Sequence, residues 1–276
     1  MPTGSFIAIL LRLVTFGGSQ NFLGAPWVDR SLDLAPTKWK RSLALRYLAS
    51  SPHYFYRTSA NTGMSFHDFL EAEVLRNQIS RRLIMEGLIA KYLKRDYVCL
   101  DFGCGPGFLA AAVAPLIAKV IACDISRGVL ACAKVINFGS NIEYRAISQD
   151  GAIPAPDESV DLIYSIAVAQ HLTDAQLSSA LREFRRVLKP GGLVICQIIL
   201  EQEGGESEAE WSADKSAKGR LKRHGYLLRC FSRSRQTMQK LVSDAQFEST
   251  QIRIGDLGVD IGNDNIAGSD LCILTR

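Results

Sequence analysis

The sequence has few of the residues that bind transition metals. It has only four histidines, and its seven cysteines include no C-x-x-C pair. Structural zinc sites use four cysteine or histidine ligands at short, regular spacings, so we predict that the chain binds no metal. The cysteine number is odd and most cysteines lie inside apolar runs, which is typical of proteins in a reducing compartment. We therefore expect a cytoplasmic location.

Long apolar segments are also missing. The run from Phe6 to Phe16 is interrupted by Arg12 and is too short to span a bilayer. No basic region precedes it and no convincing cleavage site follows it, so we expect no secretory signal. The run can pack on a domain, which we favour, or lie at a membrane surface. We predict no transmembrane span, and peripheral membrane contact stays open.

The chain carries no strong excess of one charge. It has 32 lysines and arginines against 28 aspartates and glutamates, a formal net charge of +4 that does not indicate a nucleic-acid partner. Charge is separated only locally, since Glu201 to Asp214 is acidic and Lys215 to Arg235 is basic. The basic half could meet an anionic substrate, RNA or acidic lipid. We favour a solvated helix face.

The composition that is present suits a globular domain with an extension. The 276 residues are 47% hydrophobic and 22% charged. From Ser65 to Leu93 apolar residues recur at three- and four-residue steps, which predicts a long amphipathic helix capped by Ser65 and Asp68. Residues 1–64 carry scattered glycines and prolines, and we interpret them as a partly helical extension or lid. Residues 65–276 would form the domain, with an insertion at 201–231.

Short apolar runs alternate with helical patterns after this helix. The predicted strands are 98–102, 119–123, 142–147, 161–166, 193–200, 248–254 and 270–275. Such alternation indicates an α/β domain with a mainly parallel sheet. Thr173 and Gln176 predict a capping-box start for the helix before the fifth strand, and Pro190 to Gly192 should end that helix. Ser232 is predicted to open a further helix.

The segment VCLDFGCGPGF, Val98 to Phe108, combines a strand, a glycine-rich turn and the start of a helix. Gly103, Gly105 and Gly107 lack Cβ atoms, so the turn can adopt positive φ and its backbone can approach a ligand. A dinucleotide site needs G-x-G-x-x-G, whereas this spacing is G-x-G-x-G with Asp101 two positions before the first glycine. The spacing disfavours a nicotinamide-dependent dehydrogenase.

This segment resembles the first motif of class I S-adenosylmethionine-dependent methyltransferases, of the seven-stranded, type 11/25-like group. The resemblance implies a Rossmann-like seven-stranded sheet, mainly parallel with an antiparallel last strand, and helices on both faces. The later segment LREFRRVLKPGGLVICQI is similar to the helix, turn and fifth strand of that family. One departure is Gln246, which stands where the family usually has glycine between alanine and phenylalanine.

The resemblance also implies S-adenosyl-L-methionine as cofactor. In the family the glycine loop runs beside the methionine and ribose, and Asp101 would help to hold the methionine ammonium. Asp124, at the end of the second strand, would accept the ribose hydroxyls. Asp150 would contact the adenine amine, although Gln149 could take that position. The implied cofactor-binding residues are Asp101, Gly103, Cys104, Gly105, Gly107, Asp124, Ile125, Asp150, Gly151 and Ser165.

Methyl transfer depends mainly on alignment. The acceptor attacks the sulfonium methyl in line, so positioning and exclusion of water can supply much of the acceleration. A general base is needed only for a poor nucleophile, and His171 is the best-placed candidate, although a packing role is favoured. The aromatic run His53 to Tyr56 could lie over the cofactor or anchor the extension to the core.

The leading hypothesis is a methyltransferase that modifies oxygen, nitrogen or carbon of a small-molecule acceptor, for which an anionic molecule is one option. An RNA methyltransferase is disfavoured, because strand four continues as YSIAVAQ and lacks an Asn/Asp-Pro-Pro-Tyr motif. A catalytically silent methyltransferase-like binding or regulatory module is the other alternative. The intact Asp101, glycine loop and Asp124 argue against it. The sequence leaves the oligomeric state open.

Overall fold

The computed structural model describes residues 26–50, 54–55, 63–200, 207–216, 230–258, 266 and 268–276. Two helices lead the described chain, α1 at Pro26–Leu34 and α2 at Thr37–Ala49. Proline suits the first turn of α1, where the amide has no partner inside the helix. No helix in these ranges is long and apolar enough to cross a membrane. The apolar run 6–16 lies outside the described residues.

The long amphipathic helix is confirmed. Helix α3 spans Phe66–Ile84 and continues through a wide π turn at Met85–Ile89 and a tight 3₁₀ turn at Ala90–Tyr92. Ser65 caps it, because the Ser65 hydroxyl accepts from the Asp68 amide at 3.1 Å.

The seven predicted strands form one sheet in the order β3-β2-β1-β4-β5-β7-β6. Strands β1 to β5 are parallel, and β7 runs antiparallel to both β5 and β6. The predicted Rossmann-like, mainly parallel sheet is therefore confirmed. The strands are β1 Val98–Phe102, β2 Lys119–Asp124, β3 Ile142–Ala146, β4 Val160–Ser165, β5 Leu188–Ile198, β6 Glu248–Arg253 and β7 Asp270–Thr275.

Helices cover both faces of the sheet. Alternate residues of β1 point to opposite sides, so Leu100 joins one buried cluster and Cys99 joins another. Phe102 meets Phe184 edge to face, with ring centroids 4.8 Å apart. The remaining helices are α4 Phe108–Val113, α5 Arg127–Ile136, α6 Asp174–Val187, α7 Glu208–Ala213 and α8 Arg235–Asp244.

The extension shares a core with the domain. Val28 of α1 and Leu45 of α2 are buried against Val129 of α5, in a cluster that also includes Phe66 of α3. Each fully buried apolar side chain of this size contributes about 1.5–3 kcal/mol. Because α1 and α2 bury their apolar faces on α5, they hold the extension beside the glycine loop.

Most predicted strand ends differ from the observed ones by at most two residues, and the starts of two elements differ by more. Strand β5 begins at Leu188 rather than 193, because a bulge between the pairs Val160–Leu188 and Leu162–Leu193 absorbs the turn at 190–192. The helix predicted to start at Ser232 starts at Arg235, and Ser234 is its cap.

The N-cap is Ser234 rather than Ser232 because the chain is still extended at Arg233. The Arg233 amide bonds to the Ile199 carbonyl at 3.1 Å, and Leu200 pairs with Arg233 in a short bridge. The capping box of α6 is confirmed, since Thr173 and Gln176 bond to each other's backbone amides.

Candidate functional site

The glycine loop lies at the carboxyl end of β1, between β2 and β4. Gly103, Gly105 and Gly107 have φ of +75°, +51° and +80°. The Gly103 amide donates to the Cys123 carbonyl at 2.8 Å. A Cβ on Gly103 would lie 2.4 Å from Val168 Cγ2, and one on Gly107 would lie 2.4 Å from Tyr144 Oη. The loop therefore needs glycine for both its conformation and its close packing.

Asp124 ends β2 directly beneath this loop. Its Oδ2 accepts from the Gly105 amide at 3.0 Å, and its Oδ1 accepts from the Ser126 amide at 2.8 Å. Burial raises the pKa of Asp124, and these amide bonds oppose that rise. A carboxylate offers about four lone-pair sites, so Asp124 can accept a further hydroxyl donor beside these amides.

Asp101 is a buried carboxyl group of the site with one unsatisfied oxygen. It is 2% exposed, and its Oδ2 has no hydrogen-bond partner among the described residues. Burial raises the pKa of Asp101 to about 8, with Arg81 opposing the rise and Asp124 adding to it. A buried carboxyl oxygen without a hydrogen-bond partner costs free energy, and a cationic ligand group would lower that cost.

Ser165 joins the ends of β1 and β4. Its hydroxyl donates to the Phe102 carbonyl at 3.1 Å, and its side chain is buried. Val168, in the loop that follows β4, packs its side chain against Gly103. His171 ends the short helical turn of this loop and is partly buried, and its amide donates to the Val168 carbonyl at 2.8 Å.

Cys104 contributes its backbone to the loop. Its amide donates to the Cys123 carbonyl at 2.9 Å, and burial raises the pKa of its thiol well above the ordinary value. The thiol is therefore neutral and a poor nucleophile. All seven cysteines are free, and only Cys230 is exposed.

The remaining predicted residues lie at the rim. Ile125 is 72% exposed directly after Asp124. Asp150 is exposed in the turn after β3, where it accepts from the Ala152 amide at 3.3 Å, and Gly151 beside it has φ +89°. No hydrogen bond in the described ranges joins this turn to the glycine loop. The Ile147 amide, however, ties the end of β3 to the Asp124 carbonyl at 3.0 Å.

Tyr54, from the aromatic run that could lie over the cofactor or anchor the extension, was not among the predicted cofactor-binding residues. Its Cε1 lies 3.3 Å from the position of a Cβ on Gly105. Burial raises the pKa of Tyr54 well above its ordinary value, and Asp124 adds to the rise. Its carbonyl accepts from Asn77 Nδ2 at 3.4 Å. The aromatic run was the available signal, and its members His53 and Tyr56 lie outside the described residues.

The described parts of the 201–231 insertion pack on the opposite side of the site from Tyr54, against the loop that follows β4. The Phe231 amide donates to the Gln170 carbonyl at 2.7 Å, and Trp211 meets Phe231 edge to face with ring centroids 5.6 Å apart. Glu208 Oε2 accepts from the Asp174 amide at 2.7 Å. The insertion thus packs on the loop that follows β4.

Arg233 is committed to this packing. Its Nε donates to Asp174 Oδ1 at 2.6 Å, its Nη1 donates to the Ala169 carbonyl at 2.9 Å, and its Nη2 donates to the Leu172 carbonyl. Its side chain is only 6% exposed. This basic residue therefore holds the loop and does not offer its charge to an anionic substrate. The basic residues between 217 and 229 lie outside the described residues.

These groups fit S-adenosylmethionine chemically. Asp101 Oδ2 has no hydrogen-bond partner among the described residues, Asp124 has lone pairs for vicinal hydroxyls, and the glycine backbone leaves room for close approach. The described residues contain no group of three or more His, Cys, Asp or Glu side chains that could hold a metal ion.

Comparison with known proteins agrees with this geometry. Residues 100–196 match the family described as a methyltransferase domain. The malonyl-[acyl-carrier protein] O-methyltransferase of Yersinia pestis is 34% identical over 137 residues, 50% of this chain and 48% of that protein. The ubiquinone biosynthesis O-methyltransferase of Ruegeria pomeroyi is 36% identical over 102 residues, 36% of this chain and 40% of that protein. The chain spans less than half the length of these relatives.

Solved structures share the fold. The Haloferax volcanii methyltransferase complex with the Trm112 activator gives a TM-score of 0.54 at 19% identity, over 76% of this chain and 97% of that chain. An S-adenosylmethionine-dependent methyltransferase from Mesorhizobium loti gives 0.52 at 17% identity, over 70% and 98%. Residues 100–196 thus match a methyltransferase domain, and the chain shares the fold and the seven-stranded sheet of these solved methyltransferases.

Proposed function

We propose that this protein binds S-adenosylmethionine at the carboxyl end of β1 and β2 and transfers its methyl group to a small-molecule acceptor. The observation that carries the proposal is the buried, partnerless oxygen of Asp101 beside a glycine loop that Asp124 fixes in place. When bound, the cofactor supplies a methyl group on a positively charged sulfur.

The chain's own residues would orient that group. Asp101 would bind the α-ammonium, and Asp124 would accept the two ribose hydroxyls while it keeps its bonds to the Gly105 and Ser126 amides. The backbone of Gly103, Cys104 and Gly107 would lie against the cofactor. Ser165 would line the site between the ends of β1 and β4. The rim residues Ile125, Asp150 and Gly151 would contact the adenine.

Tyr54 would cover the cofactor from the extension. Its ring packs over Gly105 and near Asp124, so it would exclude water from the reacting centre. The post-β4 loop and Phe231 would form the opposite wall. An acceptor between these two walls would meet the methyl group in a site shielded from bulk water, which favours direct transfer over hydrolysis.

Oxygen is the acceptor atom that we favour. Both relatives named above, from Yersinia pestis and Ruegeria pomeroyi, carry the name O-methyltransferase. A hydroxyl acceptor needs a base, and His171 at the start of the acceptor side is our candidate. We also propose a cytoplasmic location, because free and mostly buried cysteines suit a reducing compartment.

Transfer of labelled methyl groups tests this function. The wild type would be incubated with methyl-labelled S-adenosylmethionine and, separately, small phenols, carboxylic acids, amines and total RNA. We expect label in a small hydroxyl or carboxyl compound. The His171→Asn variant should lose activity on a hydroxyl acceptor and regain part of it at higher pH. Binding of the cofactor without transfer to any acceptor would favour the silent module, and label in RNA alone would favour the RNA methyltransferase.

A further inference from the structure

The loop between β4 and α6 contains a strained residue. Ala167 has φ +62°, a left-handed backbone conformation that residues with a Cβ rarely adopt. The next residue, Val168, packs its methyl groups against Gly103 of the glycine loop. The strain therefore lies one residue from the wall of the cofactor site, and something outside the loop must hold it.

Gln197 of β5 holds Ala167. Its Oε1 accepts from the Ala167 amide at 2.6 Å, and its Nε2 donates to Ser269 Oγ at 2.9 Å. Ser269 Oγ in turn donates to the Ile266 carbonyl at 2.6 Å. Gln197 and Ser269 are each 1% exposed, so both bonds are shielded from water. The Ser269 bond fixes which end of the Gln197 amide faces Ala167.

The other tethers of this loop act further along it. Phe231 bonds to the Gln170 carbonyl, and Arg233 bonds to the Ala169 and Leu172 carbonyls. Among the described residues, Gln197 is the one whose side chain hydrogen-bonds to the strained Ala167 backbone. The position of Val168 over Gly103 therefore depends on Gln197 more than on the insertion.

We propose that Gln197 is a positioning residue for cofactor binding, which keeps Ala167 in its left-handed conformation and so seats Val168 against the glycine loop. This inference rests on the proposed cofactor site. It assigns a role to a β5 side chain that touches no reacting atom, and it links the segment that contains Ile266 and Ser269 to the cofactor wall.

The test combines amide exchange with cofactor affinity. Gln197→Met keeps the side-chain length but cannot accept the Ala167 bond, whereas Gln197→Glu keeps an acceptor there. Hydrogen–deuterium exchange of the peptide covering 166–172 reports the loop without any ligand. Calorimetric titration with S-adenosylhomocysteine reports the cofactor wall. For Gln197→Met we expect faster exchange and about tenfold weaker binding. Gln197→Glu should restore part of both.

Ala167→Gly is the matched control, because glycine adopts positive φ without strain. In the Ala167→Gly background, Gln197→Met should cost about threefold or less in affinity. Ser269→Ala is the second variant if Gln197→Met does not fold, and we expect a smaller loss of the same kind.

Unchanged exchange and affinity in Gln197→Met would overturn the proposal, as would an equal loss with and without Ala167→Gly. A folded wild type that binds no S-adenosylhomocysteine would refute the proposed function instead. In that case the exchange of 166–172 would still decide whether Gln197 holds the loop.

Discussion

The proposed site has two halves that are held by different kinds of contact. The cofactor half is the glycine loop with Asp124, and the acceptor half is residues 169–174 with residues 231–233. In the cofactor half, Asp124 bonds to Gly105 and Ser126, which lie 19 and 2 residues away in sequence. In the acceptor half, Arg233 bonds to Asp174 across 59 residues and to Ala169 across 64. The first half is thus specified by one short stretch of chain. The second is assembled from several distant elements.

This difference predicts which half tolerates change. A local substitution in the glycine loop should damage cofactor binding directly, because nothing else can replace its backbone. A substitution that removes the Arg233 contacts of the acceptor half should lower stability and leave the cofactor contacts in place. The family match runs from β1 into β5, over residues 100–196, and stops before the insertion that contributes Phe231.

The largest effect is expected from a single added methyl group in the glycine loop. Gly107→Ala would place a Cβ 2.4 Å from Tyr144 Oη at φ +80°, so it should destabilise the fold by about 3 kcal/mol. The matched control is Gly191→Ala, where φ is +75° but nothing lies within 4 Å, and the cost should be about 1 kcal/mol. Urea denaturation measures both. Equal losses would show that the close packing of Gly107 contributes nothing.

The second prediction separates the two halves. Arg233→Met removes bonds to two backbone carbonyls and to Asp174, and should destabilise the protein by about 2 kcal/mol. Arg235→Met, which loses one exposed bond to Gln251, should cost about 0.5 kcal/mol or less. Thermal denaturation checks the stability of both variants. Cofactor affinity of Arg233→Met should stay near that of the wild type, and a large loss would contradict the separation of the halves.

The third prediction concerns pH. Because the pKa of Asp101 is raised to about 8, this carboxyl is mostly protonated near neutral pH before the cofactor binds. Binding an ammonium favours the carboxylate, so a proton should be released, and affinity should rise by up to about tenfold per pH unit below 8. Affinity should fall again once the cofactor's amino group loses its proton. Calorimetry in buffers of different ionisation enthalpy measures the proton.

Asp101→Asn is the control for this prediction, since it cannot release a proton. The same raised pKa has a consequence for the stability of the free protein. The folded state holds the Asp101 proton more tightly than the unfolded state, so stability should fall as the pH rises from about 4 to about 8. Binding without proton release in the wild type would show that Asp101 does not meet the ammonium.

The smallest effect lies outside both halves. Gln246 has φ +58° at the position where the family usually has glycine, so its backbone is strained there. Gln246→Gly should stabilise the protein by about 0.5–1 kcal/mol, and Gln246→Ala should give no gain. Thermal denaturation distinguishes the two. The Arg185 bond to the Gln246 carbonyl at 2.7 Å is to backbone and should survive both changes.

Sequence patterns predicted the local parts of this molecule well. The bounds of β1 and β7, the Ser65 cap and the capping box at Thr173 depend on residues close together in the chain, so periodicity and spacing suffice to find them. The positive φ of Gly103, Gly105 and Gly107 follows from the same short motif. The placement of Asp124 beneath Gly105 follows from the order of strand, loop and helix.

Parts that depend on distant contacts were not predictable in the same way. Ser232 satisfies the cap pattern as well as Ser234 does, and only the pairing of Arg233 with the end of β5 decides between them. Tyr54 and Gln197 reach the site from other elements; the aromatic run was a signal for Tyr54, whereas no local pattern marks Gln197. A strained alanine such as Ala167 also has no sequence signal, because glycine or asparagine would be expected there.

Calorimetric titration of S-adenosylhomocysteine into the wild type, Asp124→Ala and Asp150→Ala tests the central claim most directly. We predict binding by the wild type, loss of at least about 100-fold in affinity for Asp124→Ala, and a loss of about tenfold or less for the exposed Asp150→Ala. A folded wild type that does not bind, or an Asp124→Ala variant that binds as tightly as the wild type, would contradict the assignment of the cofactor site to the carboxyl end of β1 and β2.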